Sequence, residues 1–241
     1  MEKREAKGAT LKKLGVIGGM GPEASSYFYS EVIAHTVADR DQDHLDMMIV
    51  SQASMPARTR AILSGEHDEL LASMKADVSA LEAFGCANIA ITCNTSHYFY
   101  DQIQTFTTVP VIHMPREAVA SAVRDLGARR IGIMGTDGTI RAGIYSQACE
   151  EAGVECVTPS PERQAEVMSI IYDDVKAGRP ADMHKFNNVM REFIRHDCDA
   201  VILACTELSV VKRDHEVPDI CLDAMDVLIR ESILRSGAQY K

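Results

Sequence analysis

The sequence predicts an α/β protein in which one plan occurs twice, because three landmarks recur in the same order. Residues 14–21 (LGVIGGMG) are matched by 131–138 (IGIMGTDG), an apolar run entering a glycine-bearing loop. Residues 89–97 (IAITCNTSH) are matched by 201–209 (VILACTELS), an apolar run ending in a cysteine loop, and 109–112 (VPVI) by 217–220 (VPDI). Ordered landmarks of this kind mark an internal repeat. Short β-branched runs alternating with longer helical ones mark βαβ units and a parallel sheet.

Each element follows from local pattern. Strands are predicted at 14–18, 47–51, 88–92 and 109–112, then at 130–134, 154–157, 200–203 and 217–221. Helical spacing puts Leu70, Met74, Val78 and Leu81 on one face of 67–84. Segment 115–126 has the same period through Ala118, Val119, Ala122, Val123 and Leu126, and Gly127 closes it. No linker rich in Pro, Gly or Ser separates the halves, so the junction near 113–117 is expected to be tight. An apolar helix over 224–234 is expected to return to the first half. The resulting division is 1–115 with 222–241 as one half and 116–221 as the other, with the functional site at their interface.

Composition narrows the function. The 241 residues are 46% hydrophobic and 25% charged, which suits a packed globular protein. Twenty-five Lys and Arg against 35 Asp and Glu give a net charge of −10, a surface that repels nucleic acid. No apolar run reaches the length of a membrane span, and residues 1–13 are polar with no signal-peptide core, so a cytoplasmic protein without membrane partners is expected. Seven scattered cysteines point to reduced thiols. No C-x-x-C pair or H-E-x-x-H motif is present, so no metal is expected.

In parallel α/β sheets ligands bind beyond the carboxyl ends of the strands, where the glycine and cysteine loops fall. Gly19-Met20-Gly21-Pro22-Glu23-Ala24 fits G-x-G-x-x-A, but Ser51 and Gln52 stand where a dinucleotide site wants an acid, and no Walker lysine is present. The loop then reads as a helix start that favours a small carboxylate, as a structural turn or, against those two absences, as a nucleotide site. Cys86, Cys149, Cys156, Cys198 and Cys221 read as small buried hydrophobes. Cys93 and Cys205 differ, because each ends an apolar strand at the matching position of its half. Two thiols facing one cleft suit inversion at carbon: one thiolate removes a Cα proton and the opposite thiol returns one to the other face. Neither metal nor pyridoxal is then required. The carbanion still needs fixed donors, for which Asn94, Thr95, Thr136 and Thr206 are candidates. Arg58, after the second strand, suits a carboxylate. Lys176 lies at nearly the same repeat offset, or alternatively complements a helix dipole. Glu207 could orient an ammonium or relay a proton, and His97 could tune Cys93.

These residues resemble the aspartate/glutamate racemase family, most closely its cofactor-independent aspartate racemase branch, over about 14–222. The resemblance rests on Gly18-Gly19-Met20-Gly21-Pro22, Pro56-Ala57-Arg58-Thr59, Cys93-Asn94-Thr95, Gly135-Thr136 and Ala204-Cys205-Thr206-Glu207. It implies two flavodoxin-like parallel-sheet domains related by a pseudo-two-fold axis, and a homodimer. It also implies Cys93 and Cys205 as opposed acid/base catalysts, with Arg58 and Lys176 on substrate carboxylates. Met20, Asn94, Thr95, Thr136 and Glu207 fall on positions that line the family's site. Ala57 departs from the family, many members of which carry an acid there.

The expected function is a racemase interconverting L- and D-aspartate, or glutamate, with no cofactor and a dicarboxylic amino acid as small-molecule partner. The alternatives are a broad-specificity amino-acid racemase, a one-thiol isomerase or decarboxylase acting on dicarboxylates, and a non-catalytic dicarboxylate-binding protein.

Overall fold

Strand β1 (Leu14–Gly18) lies between β2 (Met47–Ser51) and β3 (Asn88–Ile91) in one parallel sheet. In a second parallel sheet β4 (Arg130–Gly135) lies between β5 (Glu155–Val157) and β6 (Ala200–Ala204), and β7 (Cys221–Asp223) follows on the outer side of β6. The first strand of each half is therefore central in its sheet, with the second and third on either side, as the internal repeat requires. The computed structural model describes residues 11–241. The N-terminal stretch 1–13, read above as lacking a signal-peptide core, falls mostly outside the described residues.

Two strand expectations need correction. Segment 109–112 is reduced to a single parallel bridge between Val111 and Ile89, and 217–221 becomes a turn with β7 starting only at Cys221. Both segments contain a proline, which has no N–H to donate to a ladder. Pro110 contributes only its carbonyl, accepting from Ile89 N–H at 3.0 Å, and the Pro218 carbonyl accepts from Cys221 N–H at 2.9 Å. The remaining boundaries agree to within about a residue.

Side-chain alternation along the strands decides how the sheets pack, since successive residues face opposite sides. Val16 and Ala90 from the first sheet, with Ile133 and Ile202 from the second, belong to one buried apolar cluster shared by both halves. The helices Met114–Leu126 and Ala224–Arg235 join that shared layer through Ala118, Ala122, Met225 and Leu228, and helices Pro22–His35 and Ile144–Ala152 through Phe28, Val32, Tyr145 and Ala148. Their alternates face outward. Ile17, Ile89 and Ile91 pack on Leu70, Met74, Val78 and Leu81 of helix Asp68–Phe84, and Met134, Val201 and Leu203 pack on Phe186, Val189 and Phe193 of helix Met183–Arg195. Each fully buried Leu, Ile or Phe contributes about 1.5–3 kcal/mol. Helix Ala224–Arg235 packs against helix Pro22–His35 and β3 as well as against Met114–Leu126, so the end of the chain returns to the first half.

Two glycines permit the close approaches this packing needs. Gly19 has φ +85°, and a Cβ there would lie 2.4 Å from the Gln52 backbone. A Cβ on Gly138 would lie 2.4 Å from Thr59 Oγ1, so helices Arg58–Ser64 and Asp137–Arg141 meet across the halves only because that position has no side chain.

Asp223 caps the returning helix. Its Oδ1 accepts from Met225 N–H and from Ser209 Oγ, both at 2.9 Å, while its Oδ2 is buried with no partner among the described residues. Burial, and after it the Asp226 charge, pushes the carboxyl from its usual 3.8 up to about 7. Between pH 4 and 7 the unfolded chain releases a proton that the folded chain keeps, so this group makes stability fall as pH rises, by a few kcal/mol at most. In Asp223→Asn that dependence is absent. Urea unfolding at pH 5 and pH 8 is expected to show the variant gaining on the wild type at the higher pH, and an equal difference at both would refute this titration.

Candidate active site

A cavity of about 100 Å³ lies at the carboxyl ends of both sheets, with walls from both halves. All ten site residues expected from the sequence line it: Met20, Arg58, Cys93, Asn94 and Thr95 from the first half, and Thr136, Lys176, Cys205, Thr206 and Glu207 from the second. Ligand pockets for drug-sized molecules measure about 300–1,000 Å³, so this one is small by that standard.

The wall from the first half is held by a chain of local bonds. Gly19 N–H donates to Ser25 Oγ at 2.8 Å, Ser25 Oγ meets Thr92 Oγ1 at 3.3 Å, and Ser96 Oγ donates to Met20 Sδ at 3.5 Å. The glycine loop is thereby fastened to the segment that carries Cys93, and its Gly19 N–H serves the fold instead of a bound anion. Arg58 opens its helix and donates through Nη1 to the Met55 and Pro56 carbonyls and through Nη2 to the Met20 carbonyl. Its Nε is buried with no partner among the described residues. A buried donor of that kind costs free energy until an acceptor arrives.

His97 lies outside the cavity. Met114 N–H donates to its Nε2 at 3.2 Å, which makes Nε2 the acceptor and leaves Nδ1–H to donate to the Cys93 carbonyl at 3.0 Å. Full burial lowers its pKa, which keeps the ring neutral. His97 therefore pins the backbone of the cysteine loop to the start of helix Met114–Leu126 and makes no bond to the thiol. Asn94 is fixed from the opposite half, since the buried Tyr145 hydroxyl donates to its Oδ1. That bond directs the Asn94 amide so that its N–H groups remain for a ligand.

Polar bonds also tie the halves together at the cavity floor. Thr95 Oγ1 lies 2.9 Å from Thr139 Oγ1 and 3.5 Å from Thr136 Oγ1, and the latter two are 3.2 Å apart. Thr136 caps helix Asp137–Arg141, accepting from Thr139 N–H at 3.3 Å.

The wall from the second half is organised by charge. Cys205 is the N-cap of helix Thr206–Asp214, and its Sγ donates to Glu207 Oε2 at 2.8 Å, which Thr206 Oγ1 also approaches at 3.3 Å. Glu207 Oε1 forms an ion pair with Lys176 Nζ. Burial, and then the Glu207 charge, pushes the Cys205 thiol well above its ordinary value, so the sulfur keeps its proton. Burial opposes the charge on Lys176, but Glu207 overcomes it and the net shift is upward.

Lys176 reaches this place through an irregularity. Helix Pro161–Ser169 continues as a π-helical turn, Ile170–Val175, which Lys176 ends, and such turns are rare and frequently found at functional sites. The turn brings Tyr172 into the cavity wall, with Lys176 Nζ 5.7 Å from its ring centroid. Tyr172 and Thr59 were not singled out from sequence. Tyr172 stands four residues before Lys176, which is the one signal that could have found it. Of the five cysteines expected to be inert, Cys86, Cys149, Cys198 and Cys221 are buried and Cys156 is half-buried, and none lines this cavity.

A family model described as Asp/Glu/Hydantoin racemase matches residues 17–232. The chain belongs to that family. It is 30% identical over 232 residues to the broad specificity amino-acid racemase RacX of Bacillus subtilis strain 168, covering 95% of this chain and 99% of that one. Its structure resembles that of an aspartate racemase from Picrophilus torridus, with a TM-score of 0.79 at 25% identity over 95% of this chain and 96% of the other. It also resembles an aspartate racemase homologue from Pyrococcus horikoshii OT3, with a TM-score of 0.76 at 25% identity over 94% and 100%. Among the described residues no helix is long and apolar enough to cross a membrane.

The charge arrangement around Cys205 in this racemase-family chain has a direct test. Glu207→Gln keeps an acceptor beside the thiol, removes the negative charge and frees Lys176, so the Cys205 thiolate is expected to form about one pH unit lower or more. Thiolate absorbance titrations, each taken as the difference from Cys205→Ser in the same background, measure the midpoint. An unmoved midpoint would show that Glu207 does not hold the proton on Cys205.

Proposed function

We propose that this chain is a cofactor-independent amino-acid racemase that uses Cys93 and Cys205 as its two acid/base groups, with aspartate as the first substrate. The observation that carries the reading is the placement of the two thiols: they come from matching positions of the two halves and line one small cavity beside a guanidinium. The division into 1–115 with 222–241 and 116–221 is part of this reading, supported by the return of the last helix to the first half. A homodimer, as an implication of the family resemblance, and a cytoplasmic location, as expected from the sequence, also belong to it.

The residues suggest how such a cycle would run. The unpartnered Arg58 Nε would receive the substrate α-carboxylate, with Asn94 N–H groups and the threonine hydroxyls supplying further donors as negative charge develops there. Glu207 keeps the proton on Cys205 in the resting site, so Cys205 would enter as the acid and Cys93 as the base. Cys93 would remove the Cα proton from one face while Cys205 gave its own to the other, and the reverse reaction would exchange the two roles. Lys176 would take the β-carboxylate of aspartate.

One observation favours the broader reading as a second possibility. Lys176 is already paired with Glu207, so Arg58 is the cation of this wall whose charge no carboxylate meets among the described residues. The 30% identity to a broad specificity racemase points the same way.

Incubation with L-aspartate in deuterated water, without added cofactor, is expected to give Cα–H loss together with decay of optical rotation. Cys93→Ala and Cys205→Ala are each expected to lose about 10²–10⁴-fold in racemisation while unfolding at nearly the wild-type temperature. Full turnover in either variant would support the one-thiol reading, and ligand-induced stabilisation without exchange would support the binding-protein reading.

A further inference from the structure

Away from the thiol cavity two further cysteines stand against one another. Cys149 lies in the last turn of helix Ile144–Ala152, and Cys156 is the middle residue of β5. Gly153, at φ +69°, ends the helix while Val154 N–H donates to the Cys149 carbonyl at 3.0 Å, and β5 then packs against the helix it has just left. Ser146 and Cys149, three residues apart, share one face of that helix. Cys156 Sγ lies against this face, 3.6 Å from Ser146 Oγ, and accepts a hydrogen bond from the Cys149 thiol.

The two sulfurs differ in access and in proton affinity. β5 is the outer strand of its sheet and Cys156 is half-buried there, whereas Cys149 is fully buried. The bond from Cys149, helped by Ser146, holds the Cys156 thiol below its ordinary value against the opposing effect of burial, and the same bond keeps the proton on Cys149. The thiolate is the nucleophilic form of cysteine, and redox-reactive cysteines are accessible, acidic and placed beside a second thiol that resolves them. Other cysteines are engaged differently: Cys221 Sγ contacts the Met190 thioether at 3.7 Å, Cys205 donates to Glu207, and burial raises the thiols of Cys86 and Cys198.

We propose that Cys156 and Cys149 form a peroxide-reactive modification site, with Cys156 as the attacking thiol and Cys149 as the resolving one. The Cys156 thiolate attacks one oxygen of hydrogen peroxide: an S–O bond forms, the O–O bond breaks, and the departing hydroxide takes up a proton as water. The Cys149 sulfur then attacks the sulfenic acid: an S–S bond forms, the S–O bond breaks, and the hydroxide leaves as water with the Cys149 proton. Two thiols are oxidised to one disulfide and the peroxide is reduced to two waters. A thiol reductant reverses the change by exchange. Neither sulfur lines the thiol cavity, so this chemistry does not depend on the racemase reading.

The tryptic peptide 142–163 carries both cysteines and no internal Lys or Arg, so one mass reads the pair. The reduced wild-type chain is treated with stoichiometric hydrogen peroxide, the remaining thiols are alkylated, and the digest is weighed without reductant. The peptide is expected to be two hydrogens lighter and unalkylated, with Cys86 and Cys198 at least about 10-fold less oxidised, and dithiothreitol is expected to restore both thiols. Cys156→Ser is expected to slow oxidation of Cys149 by about 10-fold or more, and Cys149→Ala to stop at a Cys156 sulfenic acid that dimedone traps. The wild-type masses decide even where a variant fails to fold. A peptide that keeps both thiols while Cys86 and Cys198 are oxidised would overturn the site. Oxidation of Cys149 at the same rate with and without the Cys156 sulfur would overturn it as well, because Cys156 would then not be the point of attack.

Discussion

Everything at the site depends on the apolar layer that the two sheets share. Val16 and Ala90 from one sheet and Ile133 and Ile202 from the other are buried in a single cluster together with residues of the surrounding helices. Interiors are close-packed, so such a layer holds its two sheets at a set distance and orientation. The sheets are parallel and their carboxyl ends converge on one cavity, which makes the walls of that cavity a property of the core. The buried threonine cluster of Thr95, Thr136 and Thr139 and the contact of Gly138 with Thr59 then join the two halves beside the cavity.

On this frame the two halves are alike in backbone and unlike in electrostatics. Each thiol follows a buried strand, but the position four residues later is His97 in one half and Ser209 in the other. His97 is a neutral ring that binds backbone, whereas Ser209 donates to a buried carboxyl, Asp223. Cys205 has Glu207 as an acceptor for its proton, and nothing equivalent bonds to the Cys93 thiol among the described residues. The duplication therefore places the two thiols alike, and local substitution gives Cys205 a carboxylate acceptor that Cys93 lacks among the described residues. Lys176 is drawn into that inequality by Glu207.

Most of the cavity wall was legible in the sequence because it is built from positions adjacent to strand ends. The residue after a buried parallel strand must emerge at the carboxyl edge, so Met20, Cys93, Asn94, Thr136, Cys205 and Thr206 were placed by the strand pattern and the family motifs together. The prolines at 110 and 218 misled the strand assignment, since an apolar run with a proline in it looks extended whether or not it pairs. Tyr172 was invisible for a different reason. A π-helical turn shifts the hydrogen-bond register, and no composition rule marks the residue it places in the cavity wall.

The sequence by itself determined the α/β class, the duplication, the central strand of each half and the pair of thiols, because these follow from hydrophobic period, strand length and repeat order, which are properties of nearest neighbours along the chain. Tertiary structure alone decided that Lys176 meets Glu207, that Tyr145 orients Asn94 and that His97 serves the backbone. The Lys176–Glu207 and Tyr145–Asn94 meetings join side chains far apart in sequence. Their partners are chosen by which helices the shared core brings together, and no local pattern carries that information.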